Sequence, residues 1–370
     1  MTDSSNAPGG DGSFWNGGEQ AALSLKQVAV EDAVGQALCH DLTRIVPETM
    51  KGAQFRKGHI VREEDIPLLL SMGKTRLYVW EQQPGMVHED EAAARLAALC
   101  RSGDMAQSEA LEGKIELSAR SGGLFRIDLE RFYAVNSIPG LIIAARHTLS
   151  AVRAGDKLAG MRAIPLMVPE AALAEAEAAA GGKPLFELLP YTLKTAGVLV
   201  TGSEVASGKI SDAFTPILAE RLAAYGISLA KRLVSDDGTG NIAAGIAEIR
   251  SGKPDLIICT GGMSVDPDDN TPGGIRQSGA DIVTHGAPML PGSMFLLGYY
   301  ADGTPVVGLP GAMLYKKRRA GILDVLLPRI AAGVRQTRRD FVALSNGGLC
   351  LNCPECRYPV CPYGKTGYVG

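Results

Sequence analysis

The stretch Leu256-Ile257-Ile258-Cys259-Thr260-Gly261-Gly262-Met263-Ser264-Val265-Asp266-Pro267-Asp268-Asp269-Asn270-Thr271-Pro272 decides how this chain reads. An apolar, β-favouring run ends in a Gly-Gly turn followed by three carboxylates, the pattern of a buried strand that delivers its end into a loop. At the carboxyl end of a parallel strand, glycines let the backbone approach an oxyanion, and a following helix start adds its positive end. Asp266, Asp268 and Asp269 would repel a phosphate there unless a hard cation such as Mg2+ lies between them. A Gly-Gly turn capped by Asp side chains is the plainer alternative, common at strand ends.

The surrounding sequence favours the site. From Thr195 onward strand and helix patterns alternate. Gly197 to Val200 reads as a buried strand that ends in Thr201-Gly202-Ser203-Glu204. Asp212 is placed as the N-cap of a helix burying Phe214, Ile217, Leu218 and Leu222, which Gly226 closes. Ser228 to Val234 is a second strand ending in Ser235-Asp236-Asp237, Asn241 to Arg250 a second helix, and Asp255 to Cys259 the strand that feeds the opening loop. Pro305 to Leu309 ends in Pro310-Gly311, with a long helix expected from there to about Ala332. Such alternation predicts an α/β domain over residues 191–335, with a doubly wound, mostly parallel sheet. All carboxyl ends of parallel strands share one edge, so these loops are expected to converge on one phosphorylated ligand.

Upstream, smaller mixed α+β domains are expected. Residues 23–85 read as a small domain that includes a strand Leu77 to Trp80, and 86–190 as an α+β region. That region has strands near Lys114–Leu117, Leu124–Ile127, Leu141–Ala144 and Ile164–Val168. His88-Glu89-Asp90-Glu91 opens an Ala/Leu-rich helix, with acids where the macrodipole favours them; metal binding by His88 is the alternative. Ala171 to Ala180, nearly all Ala and Glu and stopped by Gly181-Gly182, reads as a helix connecting to the last domain. Residues 1–22, rich in Gly, Ser, Asn and Asp, read as a disordered tail rather than a signal peptide.

A composition of 46% hydrophobic and 21% charged residues describes an ordinary globular chain of two or three domains. With a formal net charge of −3 there is no basic footprint, so nucleic acid is not expected as a partner. No apolar run approaches the roughly 20 residues of a membrane helix. A cytoplasmic location follows as the expectation.

Thr201-Gly202-Ser203-Glu204, Gly208-Lys209-Ile210-Ser211-Asp212, Asp236-Asp237, Thr260-Gly261-Gly262-Met263-Ser264-Val265, Asp269 and Leu309-Pro310-Gly311 lie in order between Thr195 and about Gly333. This set resembles the molybdopterin-binding domain shared by molybdopterin molybdenumtransferases, molybdopterin adenylyltransferases and the two halves of gephyrin. The resemblance implies molybdenum-cofactor biosynthesis, in which molybdate is inserted into adenylated molybdopterin with Mg2+ and AMP is released. It implies Glu204, Asp236, Asp269 and Asp212 as the functional acids, while the loop's own carboxylates make Asp266 and Asp269 the expected Mg2+ ligands. Pterin and phosphate contacts are implied at Thr201, Gly202, Ser203, Gly208, Thr260, Gly261, Gly262, Met263, Ser264, Pro310 and Gly311. Adenylylation of molybdopterin, or a non-catalytic carrier of the cofactor, are the alternatives. Expected partners are molybdopterin or its adenylated form, molybdate, a molybdoenzyme that receives the cofactor, and further copies of this chain in a homo-oligomer.

The sequence departs from that pattern where Asp266 replaces a usual glycine and where Ala312 and Met313 follow Pro310-Gly311 without a proline. A cysteine tail stands in place of a closing β-barrel domain. With that tail and Gly-Met-Ser-Val-Asp-Pro-Asp-Asp, the chain looks closest to a prokaryotic group called simply molybdopterin-binding proteins.

The tail, residues 345–370, places Cys350, Cys353, Cys356 and Cys361 within twelve residues, after Gly347-Gly348 read as a hinge. Thiolates this close form disulfides or share a metal, and a reducing compartment disfavours the first. A metal knuckle is therefore expected, holding Zn2+ or an iron–sulfur cluster, and its loss is expected to leave the preceding domain folded.

Overall fold

The structure is a computed structural model that describes residues 26–46, 50–79, 84–164, 166–264, 266–311 and 319–365. The expected tail at 1–22, Trp80, Pro165, Val265, Ala312 and Met313 lie outside the described residues. The chain divides into two compact units. One comprises Met1–Ser121, Phe125–Thr148 and Val152–Leu188, and the other Gly122–Leu124, Leu149–Ala151 and Leu189–Gly370.

The first unit has two apolar clusters. The smaller gathers Val30, Leu38, Leu42, Phe55, Leu69 and Leu77 around short antiparallel pairs. In the larger, an antiparallel sheet runs in the order Met105–Gln107, Lys114–Ala119, Lys157–Ala163, Leu141–Ala145. Lys157–Ala163 is central to that sheet although its residues, Lys-Leu-Ala-Gly-Met-Arg-Ala, carry little strand propensity. The strand expected over Ile164–Val168 is instead Met167–Pro169, paired with Met86–His88. The helix Glu170–Ala180 buries Leu173, Ala176 and Ala180 in the larger cluster. It is thus part of this core, where a connecting helix was expected.

His88 caps the helix Glu89–Cys100, its Nδ1 accepting the Asp90 N–H at 3.2 Å while Nε2 lies 2.6 Å from the Cys39 carbonyl oxygen. Beside it Glu89 is only 8% exposed. Burial, with the Asp90 charge adding to it, raises the Glu89 carboxyl to about 7; Arg162 and Lys57 oppose the rise. Below about pH 7 such a group is neutral in the fold while the unfolded chain ionises it near 4.5, so its contribution to stability is full below pH 4.5 and is lost progressively up to about pH 7. This contribution is expected to be worth roughly 3 kcal/mol and to be missing from Glu89→Gln. Chemical denaturation of both proteins between pH 4 and 8 measures it, and parallel profiles would contradict the assignment.

In the second unit, strands and helices are numbered from Thr195. The strands are β1 (Thr195–Thr201), β2 (Ser228–Ser235), β3 (Leu256–Thr260), β4 (Asp281–His285), β5 (Leu296–Tyr299) and β6 (Pro305–Leu309). The helices are α1 (Ser203–Ala206), α2 (Phe214–Ala223), α3 (Thr239–Ser251), α4 (Thr271–Gln277), α5 (Ile322–Ala331) and α6 (Arg338–Ala343). The sheet order is β2-β1-β3-β6-β5-β4. The β1–β2, β1–β3 and β3–β6 pairs are parallel, whereas β5 runs antiparallel to β6 and β4 antiparallel to β5. The sheet is therefore mixed: four parallel strands bear the loops, and two further strands in antiparallel pairing close the other side.

Both faces are covered. Val198 and Val200 of β1 and Ile258 of β3 pack with Leu218 and Leu222 of α2 and Leu323, Leu326 and Ile330 of α5. On the opposite face Leu199, Ile257 and Cys259 meet Ile242, Ile246 and Ile249 of α3 and Ile275 of α4. This double coverage explains why β3 is apolar up to Thr260 and wholly buried, whereas the edge strand β2 alternates.

The tail is docked, not hinged. Leu349 bridges Leu290, and the Leu290 N–H donates to the Gly348 carbonyl at 2.8 Å. A Cβ at Gly347 would sit 2.2 Å from the Lys365 carbonyl oxygen and one at Gly348 equally near that of Pro288, so these glycines serve close packing. The Tyr363 hydroxyl donates to the Pro291 carbonyl at 2.7 Å and that of Tyr358 to the backbone carbonyl of Asp324 at 3.0 Å, with both rings against the main core. Ending the chain before Gly347 is accordingly expected to destabilise this unit by on the order of 5 kcal/mol. Circular dichroism during urea unfolding tests this, and an unshifted transition would restore the hinge reading.

Among the described residues, no helix is long and apolar enough to cross a membrane.

Candidate functional site

The register of the parallel strands sets their ends level: Thr201 pairs with Ser235, Val200 with Thr260, and Thr260 with Leu309. The loops after β1, β2, β3 and β6 therefore emerge at one edge, as expected for parallel strands. Four hydrogen bonds knit three of them. The Gly202 N–H donates to the Ser235 carbonyl at 3.1 Å, and both the N–H and the hydroxyl of Ser203 donate to Asp237 Oδ2 at 2.8 Å. The Thr201 and Thr271 hydroxyls lie 2.8 Å apart.

Gly261 and Gly262 sit at the centre with φ of +100° and +51°, values that L side chains rarely adopt. A Cβ on Gly261 would stand 2.1 Å from the Thr201 carbonyl oxygen, and one on Gly262 2.8 Å from the Thr271 hydroxyl and 3.6 Å from Asp237 Oδ1. The glycines thus allow two strand-end loops to touch. Met263 folds back into the core, where its side chain fills the space beside Gly308. Gly311 serves a similar purpose against the Phe214 ring at the start of α2.

The expected site residues divide into two groups. Ser203, Glu204, Gly208, Asp236, Ser264 and Asp266 are exposed, with Gly202, Gly261, Gly262, Asp269, Pro310 and Gly311 half-buried around them. Thr201, Thr260 and Met263 are buried, so their side chains support the loops rather than face outward. The Thr260 hydroxyl has no hydrogen-bond partner among the described residues, while its carbonyl accepts from Thr201 at 3.3 Å.

The acids differ as well. Asp212 Oδ1 accepts the N–H groups of Phe214 and Thr215 at 2.9 and 3.0 Å, and Oδ2 accepts from the Thr215 hydroxyl at 2.5 Å and from Arg232 Nε at 2.7 Å. Burial pushes this carboxyl upward, but those donors together hold it below its ordinary value. Asp212 is thus a capping and bracing group. Asp236 is tied to the Asn241 amide, and also to the Gly238 N–H at 2.9 Å, which keep its carboxyl low. Asp266, Asp268 and Asp269 form no ion pair among the described residues; their turn is closed by the Asp269 N–H on the Asp266 carbonyl at 2.9 Å.

Asp237, Thr271 and Arg232 were not singled out as site residues. The Asp236-Asp237 pair was visible at a strand end, and Thr271 precedes a proline at a helix start. Arg232 reads as an ordinary edge-strand cation and meets Asp212 only in three dimensions.

Among the described residues, no three His, Cys, Asp or Glu side chains are grouped so as to hold one metal ion. Neither the expected Mg2+ pair, Asp266 and Asp269, nor the C-terminal knuckle of Cys350, Cys353, Cys356 and Cys361 is thereby shown as a mononuclear site. At the loop edge Mg2+ fits only in shared coordination, with one or two carboxylates completed by ligand phosphates and water.

Residues 197–343 match the family described as a probable molybdopterin binding domain, and residues 27–81 match a domain of unknown function. A CinA-like protein of Mycobacterium avium is 37% identical over 76 residues, which are 20% of this chain and 18% of that protein. That of Mycobacterium tuberculosis is 34% identical over a segment of the same length. The matched segment thus spans less than a fifth of the length of these relatives. Among solved structures, the Mog protein of Mycobacterium ulcerans is 24% identical, covering 38% of this chain and 97% of that one with a TM-score of 0.30. The tungsten cofactor synthesizing protein MoaB of Pyrococcus furiosus is 16% identical, covering 40% and 99% with a TM-score of 0.33. The family match covers the parallel strands, their four loops and the antiparallel pair. It places the C-terminal α/β domain beside the molybdopterin-binding domains.

Proposed function

We propose that the C-terminal unit binds adenylated molybdopterin along this loop edge and serves molybdate insertion with release of AMP. The observation that carries the reading is the meeting of Gly261-Gly262, Ser203 and Asp237 at the level ends of three parallel strands. Backbone without Cβ atoms at Gly261 and Gly262 leaves room for a phosphate to lie against the loop. Asp237 fixes Ser203, and Asp212 fixes the start of α2, so both acids pre-organise the rim rather than react. Asp269 and Asp266 would hold Mg2+, which when bound neutralises phosphate charge and draws electrons from the phosphoanhydride. Glu204, exposed on α1, is the carboxylate left to orient the incoming oxyanion or water. On this reading the product passes to a molybdoenzyme and the chain works as a homo-oligomer.

Incubating the protein with adenylated molybdopterin, Mg2+ and molybdate while measuring AMP tests the proposal. AMP that appears only with both additions supports insertion. Consumption of ATP with unmodified molybdopterin would mean adenylylation instead, and tight binding without turnover would mean a carrier.

A further inference from the structure

Cys350, Cys353, Cys356 and Cys361 all line one hollow of about 50 Å3 on the C-terminal unit. We propose that this hollow is the seat of a four-iron, four-sulfide cluster ligated by these four thiolates. Two observations point the same way. The spacing gives two C-x2-C steps and then a Cys-Pro, close to the run that wraps such clusters, with four residues rather than three before the last cysteine. All four cysteines also border the same space, as ligands at the corners of a cluster would. A zinc ion bonds thiolates at about 2.3 Å, which would draw the sulfurs to roughly 3.8 Å from each other. A cubane cluster spreads its ligands over four corners and needs a body of space between them.

The walls suit that cargo. Leu349, Pro362 and the rings of Tyr358 and Tyr363 supply an apolar surround, and Arg319 and Arg357 bring positive charge to what would be an anionic group. Arg319 also holds the loop, donating from Nη1 to Asn352 Oδ1 at 2.8 Å and from Nη2 to the Cys353 carbonyl at 3.4 Å. Cys350 and Cys361 pack against the main core, whereas Cys356 is exposed. One corner of the cluster would therefore meet solvent, where oxygen can reach it. On loading, each thiol yields its proton to solvent as its sulfur bonds iron, and iron and sulfide come from outside the chain. The inference is independent of the pterin site.

The test is anaerobic purification of the full chain, followed by reconstitution with ferrous iron, sulfide and a thiol reductant. About four iron and four acid-labile sulfide per chain are expected, with broad visible absorbance that bleaches on reduction by dithionite. Cys353→Ser with Cys356→Ser, which leaves the two core-packed cysteines in place, is expected to lose iron and absorbance while keeping the wild-type circular dichroism. Stoichiometric zinc that iron does not displace would overturn the proposal. So would a reconstituted protein without sulfide, or wild-type iron and sulfide in the double variant.

Discussion

Gly261→Ala is expected to abolish binding of adenylated molybdopterin and to cost the C-terminal unit about 4 kcal/mol. Two penalties combine at this position. The new methyl would stand 2.1 Å from the Thr201 carbonyl oxygen, a backbone atom that cannot swing aside, and φ is +100°. Relief requires the loops after β1 and β3 to part, which disrupts the surface on which the ligand rests. Gly240→Ala is the matched control: it lies in α3 with nothing within 4 Å of the added methyl, and it should be neutral or stabilise by up to about 1 kcal/mol. Urea unfolding and a binding titration of the two variants check both halves. Equal behaviour would show that the loop contact is not structural.

Asp269→Asn is expected to lower the rate of AMP release by about 100-fold or more without shifting the unfolding transition. Its carboxylate makes no ion pair among the described residues, so its loss leaves no buried partner stranded. A side chain that serves only a cation shared with ligand phosphates should affect turnover alone, and extra Mg2+ should restore part of the rate. Undiminished AMP release would remove Asp269 from the chemistry. A lowered unfolding midpoint would make it a turn-former.

How much of this was legible depends on which physical signal each residue carries. β1, β3 and β6 announced themselves as short apolar runs with a glycine one or two residues beyond the end, because strands covered on both faces need no polar alternation. β4 and β5, Asp281–His285 and Leu296–Tyr299, were not read as strands, and their residues would not have told their direction, since parallel and antiparallel strands use similar residues. Lys157–Ala163 was missed because Ala159 and Gly160 weaken its strand propensity, and its place between two partners supplies what propensity lacks. Gly347 and Gly348 show the ambiguity of glycine, which serves flexibility and close approach alike; here carbonyl oxygens fill the space beside them. The acids were found by position, and Asp212 also as a helix cap, but the rest of their division of labour was not. Asp212 turns inward to a helix start and an arginine, Asp237 to Ser203, and only geometry separates them from Asp269.

The most direct test of the central claim is a crystal structure of the protein grown with adenylated molybdopterin and Mg2+. The account predicts a ligand phosphate against the backbone of Gly261 and Gly262 beside Ser203, with a cation between it and Asp269. Ligand density at any other place, with this loop edge left to solvent, would contradict it.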